Sequence, residues 1–181
     1  MPQYVAFLRG INVGGHRVKM EALRGHFATL GLDDVETFLA SGNVIFSCRG
    51  GNAAALEQRI EQHLANQLGF ATAIQLRTLP ALAEVVAFPA FPRARTGDSL
   101  YVCFLRAEPD AATRRTLDGL QSEMDEFRMH GREVYWLCRG KISEVSVAWP
   151  KLEKLLRTLD ATSRNLATVR KLVDEYGAAK A

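Results

Sequence analysis

The sequence lacks any apolar stretch long enough to span a membrane. Every hydrophobic run is interrupted by Arg, Asp, Glu or Gly within about ten residues, whereas a membrane-spanning helix requires about 20 apolar residues. The N-terminus also lacks a positively charged segment ahead of an apolar run, and it has no small-residue cleavage site typical of a secretory signal. We therefore expect a cytoplasmic protein that does not act at a membrane.

Cysteine and histidine are scarce and poorly spaced for metal chemistry. The three cysteines, Cys48, Cys103 and Cys138, are far apart and include no C-x-x-C pair, which excludes a disulfide framework and a thiolate zinc site. The four histidines show neither H-E-x-x-H nor another paired spacing. We expect reduced thiols, no metal and no cofactor. His16 alone flanks a glycine-rich loop, where it could bind a ligand phosphate.

The chain also lacks a large excess of charge of either sign. It contains 23 basic and 20 acidic side chains among 181 residues, a net charge of +3, and neither half forms a basic arm. This balance excludes a sequence-independent polyanion binder. The hydrophobic share of 48% is typical of a folded globular protein, and the length allows one domain or two small, tightly joined ones.

Hydrophobic periodicity predicts a β-α-β-β-α-β order in the first half of the chain. This is the order of a ferredoxin-like, split-βαβ unit, in which two helices cover one face of a four-stranded antiparallel sheet. The predicted strands are residues 3–9, 35–40, 44–48 and 71–76, and the apolar stripes of the two helices cover residues 20–30 and 56–68. A short helix at residues 79–87 and a Pro- and Gly-containing linker at residues 88–98 follow.

The second half begins the same order again. We predict strands at residues 100–105, 126–130 and 133–138, and helices at residues 111–121, 147–159 and 165–176, the middle one interrupted by Pro150. No final strand is evident. The predicted fold class is α+β, an α/β sandwich of two ferredoxin-like halves, residues 1–95 and 96–181, that pack as one unit. The repeat is visible only in the order of its elements.

The first predicted strand leads into a loop that has the ingredients of a phosphate cradle. Arg9, Gly10, Asn12, Gly14 and Gly15 lie where a strand gives way to a helix, so backbone amides and the helix N-terminus can face an anion. The spacing matches neither G-x-x-x-x-G-K-[ST] nor G-x-G-x-x-G, which excludes a conventional nucleotide fingerprint. Alternatively, glycine is needed here only to make a strained connection.

Two further polar segments are candidates for the same site. Ser41 and Asn43 flank Gly42 in a predicted hairpin turn, where they either supply hydroxyl and amide donors or simply shape the turn. Arg164 and Asn165 lie at the start of the last predicted helix, where Thr162, Ser163 or Asn165 could serve as the N-cap. A positive charge at Arg164 opposes the helix dipole, which favours a bound anion or an acidic partner nearby.

Three ordered motifs resemble the bacterial domain-of-unknown-function 1697 family. They are F-L-R-G-I-N-V-G-G at residues 7–15, A-S-G-N-V-I-F at residues 40–46, and T-S-R-N and T-V-R-K-L within residues 162–172. The resemblance spans essentially the whole chain and implies two ferredoxin-like halves without an established activity. The resemblance implies that the family's signature positions are the candidate site residues of the three segments described above, together with Gly42 and Thr168. Members commonly carry an aromatic residue where this chain has Leu166, so no stacking role is expected there.

We expect a polar site that joins the glycine loop, the turn and the Arg164–Asn165 pair around an anionic ligand. Arg, Asn, Ser and clustered glycines are donors suited to phosphate or carboxylate oxygens, so the expected partner is an anionic small molecule. Two alternatives stay open: a structural or protein-interaction module without a small ligand, and single-stranded nucleic-acid binding, for which the RNP1 pattern is missing. Catalytic activity and oligomeric state also stay open.

Overall fold

In the computed structural model, residues 1–12, 15–139 and 148–177 are described, and they form eight strands and six helices. Backbone contacts divide the chain into two units, Met1–Leu82 and Ala83–Ala181. The division at residues 95 and 96 that the linker suggests stays a prediction about domain organisation. Within the described ranges, no helix is both long enough and apolar enough to cross a membrane.

The elements follow the predicted order closely. Those of the first unit are β1 (Gln3–Leu8), α1 (Met20–Ala28), β2 (Asp33–Thr37), β3 (Asn43–Ser47), α2 (Ala53–Leu68) and β4 (Ile74–Thr78). A third helix, α3 (Leu79–Ala87), follows β4 without a loop. The remaining elements are β5 (Ser99–Phe104), α4 (Ala111–Asp118), β6 (Asp125–His130), β7 (Glu133–Cys138), α5 (Trp149–Thr158), β8 (Thr162–Asn165) and α6 (Leu166–Tyr176).

Each unit contains a four-stranded antiparallel sheet with the same strand order. The first sheet runs β2-β3-β1-β4, and the second runs β6-β7-β5-β8. In each sheet, the first strand of the unit pairs antiparallel with the third and the fourth. This is the split-βαβ topology, so the predicted duplicated ferredoxin-like α+β fold is confirmed.

Two expectations for the second half are wrong. A final strand does exist, because β8 occupies Thr162–Asn165 and pairs with β5. The sequence hides it because four mostly polar residues show no apolar alternation. Pro150 does not interrupt α5 but stands in its first turn, where the missing N–H has no partner within the helix in any case.

One face of the first sheet packs against α1 and α2. Leu23 and Phe27 of α1, and Ile60 and Leu64 of α2, are fully buried, and the spacing within each pair places both side chains on one side of the helix. They join a hydrophobic cluster that also contains the sheet residues Tyr4, Ala6, Leu8, Val44, Phe46, Ile74 and Leu76. In the second unit, the helix residues of the corresponding cluster are Leu117, Leu152 and Leu156.

The two units also repeat at the level of single residues. The segments Y-V-A-F-L-R at residues 4–9 and Y-V-C-F-L-R at residues 101–106 differ only at Ala6 and Cys103. They occupy equivalent places, because Phe7 lies opposite the first residue of β3 and Phe104 lies opposite the first residue of β7. The repeat is therefore not confined to the order of elements.

Two glutamates of α2 cover the outer edge of β4. β4 is an edge strand, and the backbone N–H groups of Ile74 and Leu76 donate to Glu61 Oε1 and Glu57 Oε1, each at 2.8 Å. Glu57 is 2% exposed, so its carboxylate is held in the interior by this contact. The two carboxylates occupy the backbone donors that a further strand would use, which protects this edge from pairing with another chain.

We expect Glu57→Ala to lower the free energy of unfolding by about 2 kcal/mol, because it removes the acceptor of a buried N–H group. Glu57→Gln, which keeps an oxygen in the same place, should lose less. Urea unfolding measures both, and Gln62→Ala, an exposed change on the same helix, is the control and should stay within about 0.5 kcal/mol of the wild type. Equal stability of Glu57→Ala and the control would contradict this role.

Candidate functional site

Three segments of the first unit meet at one end of its sheet. β1 ends at Leu8, and β3 and β4 run in the opposite direction and begin beside it. The Leu8 N–H donates to Gly42 O and the Arg9 N–H donates to Ala73 O, both at 2.9 Å. We call the joined segments the loop end: residues 9–12, 15–19, 38–43 and 69–73.

The side chain of Asn12 fastens the glycine loop to the β2–β3 turn. Asn12 Nδ2 donates to Ala40 O at 2.9 Å, and Asn12 Oδ1 accepts from the Val18 N–H at 2.8 Å. The φ of Asn12 is 60°, in the left-handed region that Asn tolerates better than most residues. Asn12, a predicted ligand-binding residue, therefore holds the loop in place through both ends of its amide.

Glycine supplies the backbone conformation on either side of Asn12. Gly10 has a φ of 70° and Gly15 a φ of 97°, and neither has an atom within 4 Å of the place where a Cβ would lie. The left-handed backbone, not crowding, therefore requires glycine at these positions. Successive N–H groups next to left-handed residues can converge on an anion. Gly14, another predicted site residue, lies outside the described residues.

Asn43 closes the β2–β3 turn from within. It is fully buried, and its Nδ2 donates to Phe38 O at 2.8 Å and to Ser41 Oγ at 2.9 Å. Ser41 is exposed. Of the two side-chain donors predicted for a ligand, Asn43 shapes the turn, whereas Ser41 stands at the surface of the loop end.

The loop end carries positive charge and no acidic residue. Its segments contain Arg9, His16, Arg17 and Lys19, but neither Asp nor Glu. Arg9 is half-buried, and the other three are exposed. Thr72 Oγ1 donates to Arg9 O at 2.5 Å, which fixes the backbone where the loop begins. Cationic side chains and glycine backbone therefore share one surface.

The loop end also contains an aromatic pair that the sequence did not reveal. The ring of His16 stacks on Phe70, with centroids 4.1 Å apart and an angle of 25° between the planes. Phe70 and Thr72 belong to the segment between α2 and β4, which carries no motif. Only the sheet topology, which brings the start of β4 next to the end of β1, identifies them.

Arg164 and Asn165 belong to the second unit, where both have structural partners. Asn165 Oδ1 accepts from the Ala167 N–H at 2.8 Å, so Asn165 is the N-cap of α6. Arg164 is 8% exposed, and its Nη1 donates to Thr162 Oγ1 and Ser163 O, each at 2.8 Å. Burial lowers the pKa of Arg164 to about 10. The meeting of this pair with the glycine loop stays a prediction.

Arg164 has a counterpart in the first unit. Arg77 lies opposite Val5 in the first sheet, as Arg164 lies opposite Val102 in the second. Arg77 is 3% exposed, and its Nη1 donates at 2.8 Å to Leu76 O, the carbonyl of the preceding residue, as Arg164 also does. Equivalent buried arginines are thus a feature of the duplicated fold, which gives Arg164 a structural explanation.

Cys103 and Cys138 are buried among the core residues of the second unit. Burial raises the pKa of Cys103 to about 12 and that of Cys138 to about 11, so both thiols are protonated at neutral pH. Cys48 is half-buried. Among residues 1–12, 15–139 and 148–177, no three His, Cys, Asp or Glu side chains are grouped as metal ligands would be.

The fold and the loop end define a duplicated ferredoxin-like protein with a basic, glycine-rich loop at one end of its first sheet. The chain belongs to the protein family of unknown function DUF1697, whose model matches residues 1–135, and the resemblance seen in the sequence is confirmed. Its structure is similar to that of the conserved bacterial protein SP0830 from Streptococcus pneumoniae, with a TM-score of 0.77 and 25% identity over 96% of this chain and 97% of that chain. No curated protein matches the chain.

Substitution of Gly42 measures how closely the β2–β3 turn packs against the glycine loop. A Cβ on Gly42 would lie 3.1 Å from Ile11 Cβ and 3.2 Å from Leu8 Cβ, whereas one on Gly31, which has a similar left-handed φ, meets open space. Gly31→Ala should therefore cost about 1 kcal/mol of stability from backbone strain. Gly42→Ala should cost at least about 1 kcal/mol more because crowding is added. Thermal or urea unfolding measures both, and equal losses would show that the contact is loose.

Proposed function

We propose that the protein binds an anionic small molecule, bearing phosphate or carboxylate groups, at the loop end of its first unit. The observation that carries the proposal is the composition of these segments: they are hydrogen-bonded to one another, they bring Arg9, Arg17 and Lys19 together with His16, and they contain no acidic residue. Two acids border them: Glu21 in the first turn of α1, and Glu61, whose Oε1 accepts from the Ile74 N–H. The chain as a whole has 23 basic and 20 acidic side chains, so for their length these segments have a larger excess of basic over acidic side chains than the chain does.

The backbone supports the same chemistry. Gly10 and Gly15 adopt left-handed conformations, in which neighbouring N–H groups can turn towards one oxyanion. α1 begins directly after the loop, and Lys19 at its N-cap makes no side-chain hydrogen bond to the first turn. The N–H groups of that turn and the positive end of the helix dipole therefore favour an anion.

The core of the proposed site is smaller than the full set of predicted residues. Asn12 and Asn43 act by holding the loop and the turn in shape. Arg9, Arg17, Ser41 and the backbone of the glycine loop contact the ligand. Arg164→Ala tests the wider site that includes the second unit. Weaker anion binding with an unchanged melting temperature would add Arg164 to the site, whereas a lower melting temperature with unchanged binding would assign it a structural role alone.

Isothermal titration with pyrophosphate, and with a panel of phosphorylated metabolites and dicarboxylates, measures the binding directly. We expect Arg9→Ala and Arg17→Ala each to weaken binding about tenfold, because each removes a charge-assisted contact. Arg24→Ala is the matched control: it removes the same charge from an exposed position on α1, outside the loop end, and should change affinity less than twofold.

Absence of anion binding to the wild type at low salt, or an equal loss in all three variants, would contradict the proposal. A structural or protein-interaction module predicts a different pattern, in which Arg9→Ala lowers the melting temperature and no anion raises it. Single-stranded nucleic-acid binding predicts an affinity for oligonucleotides that falls steeply with salt and exceeds the affinity for any small anion.

A further inference from the structure

We infer that the ligand of the loop end is a nucleoside phosphate whose base stacks on His16. This inference rests on the anion site proposed above and names the class of its ligand. The structural basis is the His16–Phe70 ring pair beside Gly15, in which Phe70 packs against the hydrophobic core and His16 is exposed. The cations and the glycine backbone are sufficient to bind the phosphate. The flat aromatic surface next to them is suited to a second part of the ligand, a nucleobase.

The ring pair is built as a supported platform. Phe70 is half-buried and packs against the core cluster of the first unit, whereas His16 is exposed. The rings are nearly parallel at 4.1 Å, so Phe70 backs one face of the imidazole and the outer side of His16 faces solvent. A nucleobase stacks on flat side chains of this kind, including histidine, without needing a particular base edge.

Backbone hydrogen bonds of the loop end connect the segment that carries Phe70 to the segment that carries Arg9. Phe70 lies two positions before Thr72, whose hydroxyl donates to Arg9 O, and the next residue, Ala73, accepts from the Arg9 N–H. His16 stands between Gly15 and Arg17 in the chain. Adjacent Cα atoms are about 3.8 Å apart, so the residue that carries the stacking ring lies directly beside the left-handed Gly15 and the cationic Arg17.

The two parts of the ligand therefore have separate partners. The phosphate is held by the glycine loop and Arg17, and the base is held by the outer face of His16. Inorganic phosphate or ribose 5-phosphate would satisfy only the first part, whereas a nucleoside without phosphate would satisfy only the second. This division makes the inference testable independently of the anion site.

The experiment compares adenosine, guanosine, cytidine and uridine 5′-monophosphates with ribose 5-phosphate, which has the same phosphate but no base, by isothermal titration against the full chain. We expect at least one nucleotide to bind about tenfold more tightly than ribose 5-phosphate, the gain typical of one stacked base. His16→Ala should remove that gain, so that in this variant the nucleotide binds no more tightly than ribose 5-phosphate. His16→Phe should keep it, and His130→Ala, on β6 of the second unit, is the matched histidine control.

The outcomes separate this inference from the proposed function. Equal binding of nucleotides and ribose 5-phosphate would overturn the base platform while leaving the anion site intact, and absence of binding by all of them and by pyrophosphate would overturn both. An equal loss of affinity for the nucleotide and for ribose 5-phosphate in His16→Ala, with the tenfold difference between them retained, would show that His16 contacts phosphate and not a base. A short single-stranded oligonucleotide that binds far more tightly than every mononucleotide would overturn the assignment to a free nucleotide.

Discussion

The proposed anion site depends on the hydrogen bonds that join three loops at one end of the first sheet. Leu8 and Gly42 are joined through the backbone, Arg9 and Ala73 likewise, and the Asn12 side chain adds a bond to Ala40 O. Each segment alone is a short connection with exposed backbone. Held together, they present glycine amides, cations and an aromatic pair on one surface, which is why the proposed ligand chemistry depends on these contacts.

The duplication explains why we place the site in one unit only. The second unit repeats the same backbone contact, since the Leu105 N–H donates to Arg132 O at 3.0 Å where the Leu8 N–H donates to Gly42 O at 2.9 Å. Its sequence after β5 is R-A-E-P-D at residues 106–110, however, and Asp110 caps α4 through the Thr113 N–H. Two acids and no glycine replace the cationic, glycine-rich loop, so the second unit keeps the fold but lacks the groups on which the proposed anion site rests.

The fold was predictable from sequence because strands and amphipathic helices leave strong periodic signals. β1 and β5 are apolar runs between turn residues, and the stripes of α1 and α2 are regular. β8 was missed because T-S-R-N is short and polar and becomes a strand only by pairing with β5. The similarity of residues 4–9 to residues 101–106 is present in the sequence. It identifies a structural repeat only because both segments occupy the same place in equivalent sheets.

The candidate site was predictable only in part, because a motif shows which residues lie together in sequence and not what their side chains contact. The glycine loop and the Ser41 turn do meet. Asn43 and Asn165, however, use their side chains in a turn and an N-cap, and Arg164 is buried like its counterpart Arg77. The sequence did not identify Phe70 as a site residue, because its stacking partner, His16, belongs to a distant segment of the chain.

The location of the bound anion is mapped most directly by amide chemical shifts during a pyrophosphate titration. We expect the perturbed amides to be those of the loop end, chiefly Gly10, Gly15, Ser41 and Gly42, while the corresponding region around Gly131 and Arg132 is unaffected. Shifts centred on the second unit, or spread evenly over exposed basic residues, would contradict the proposed site.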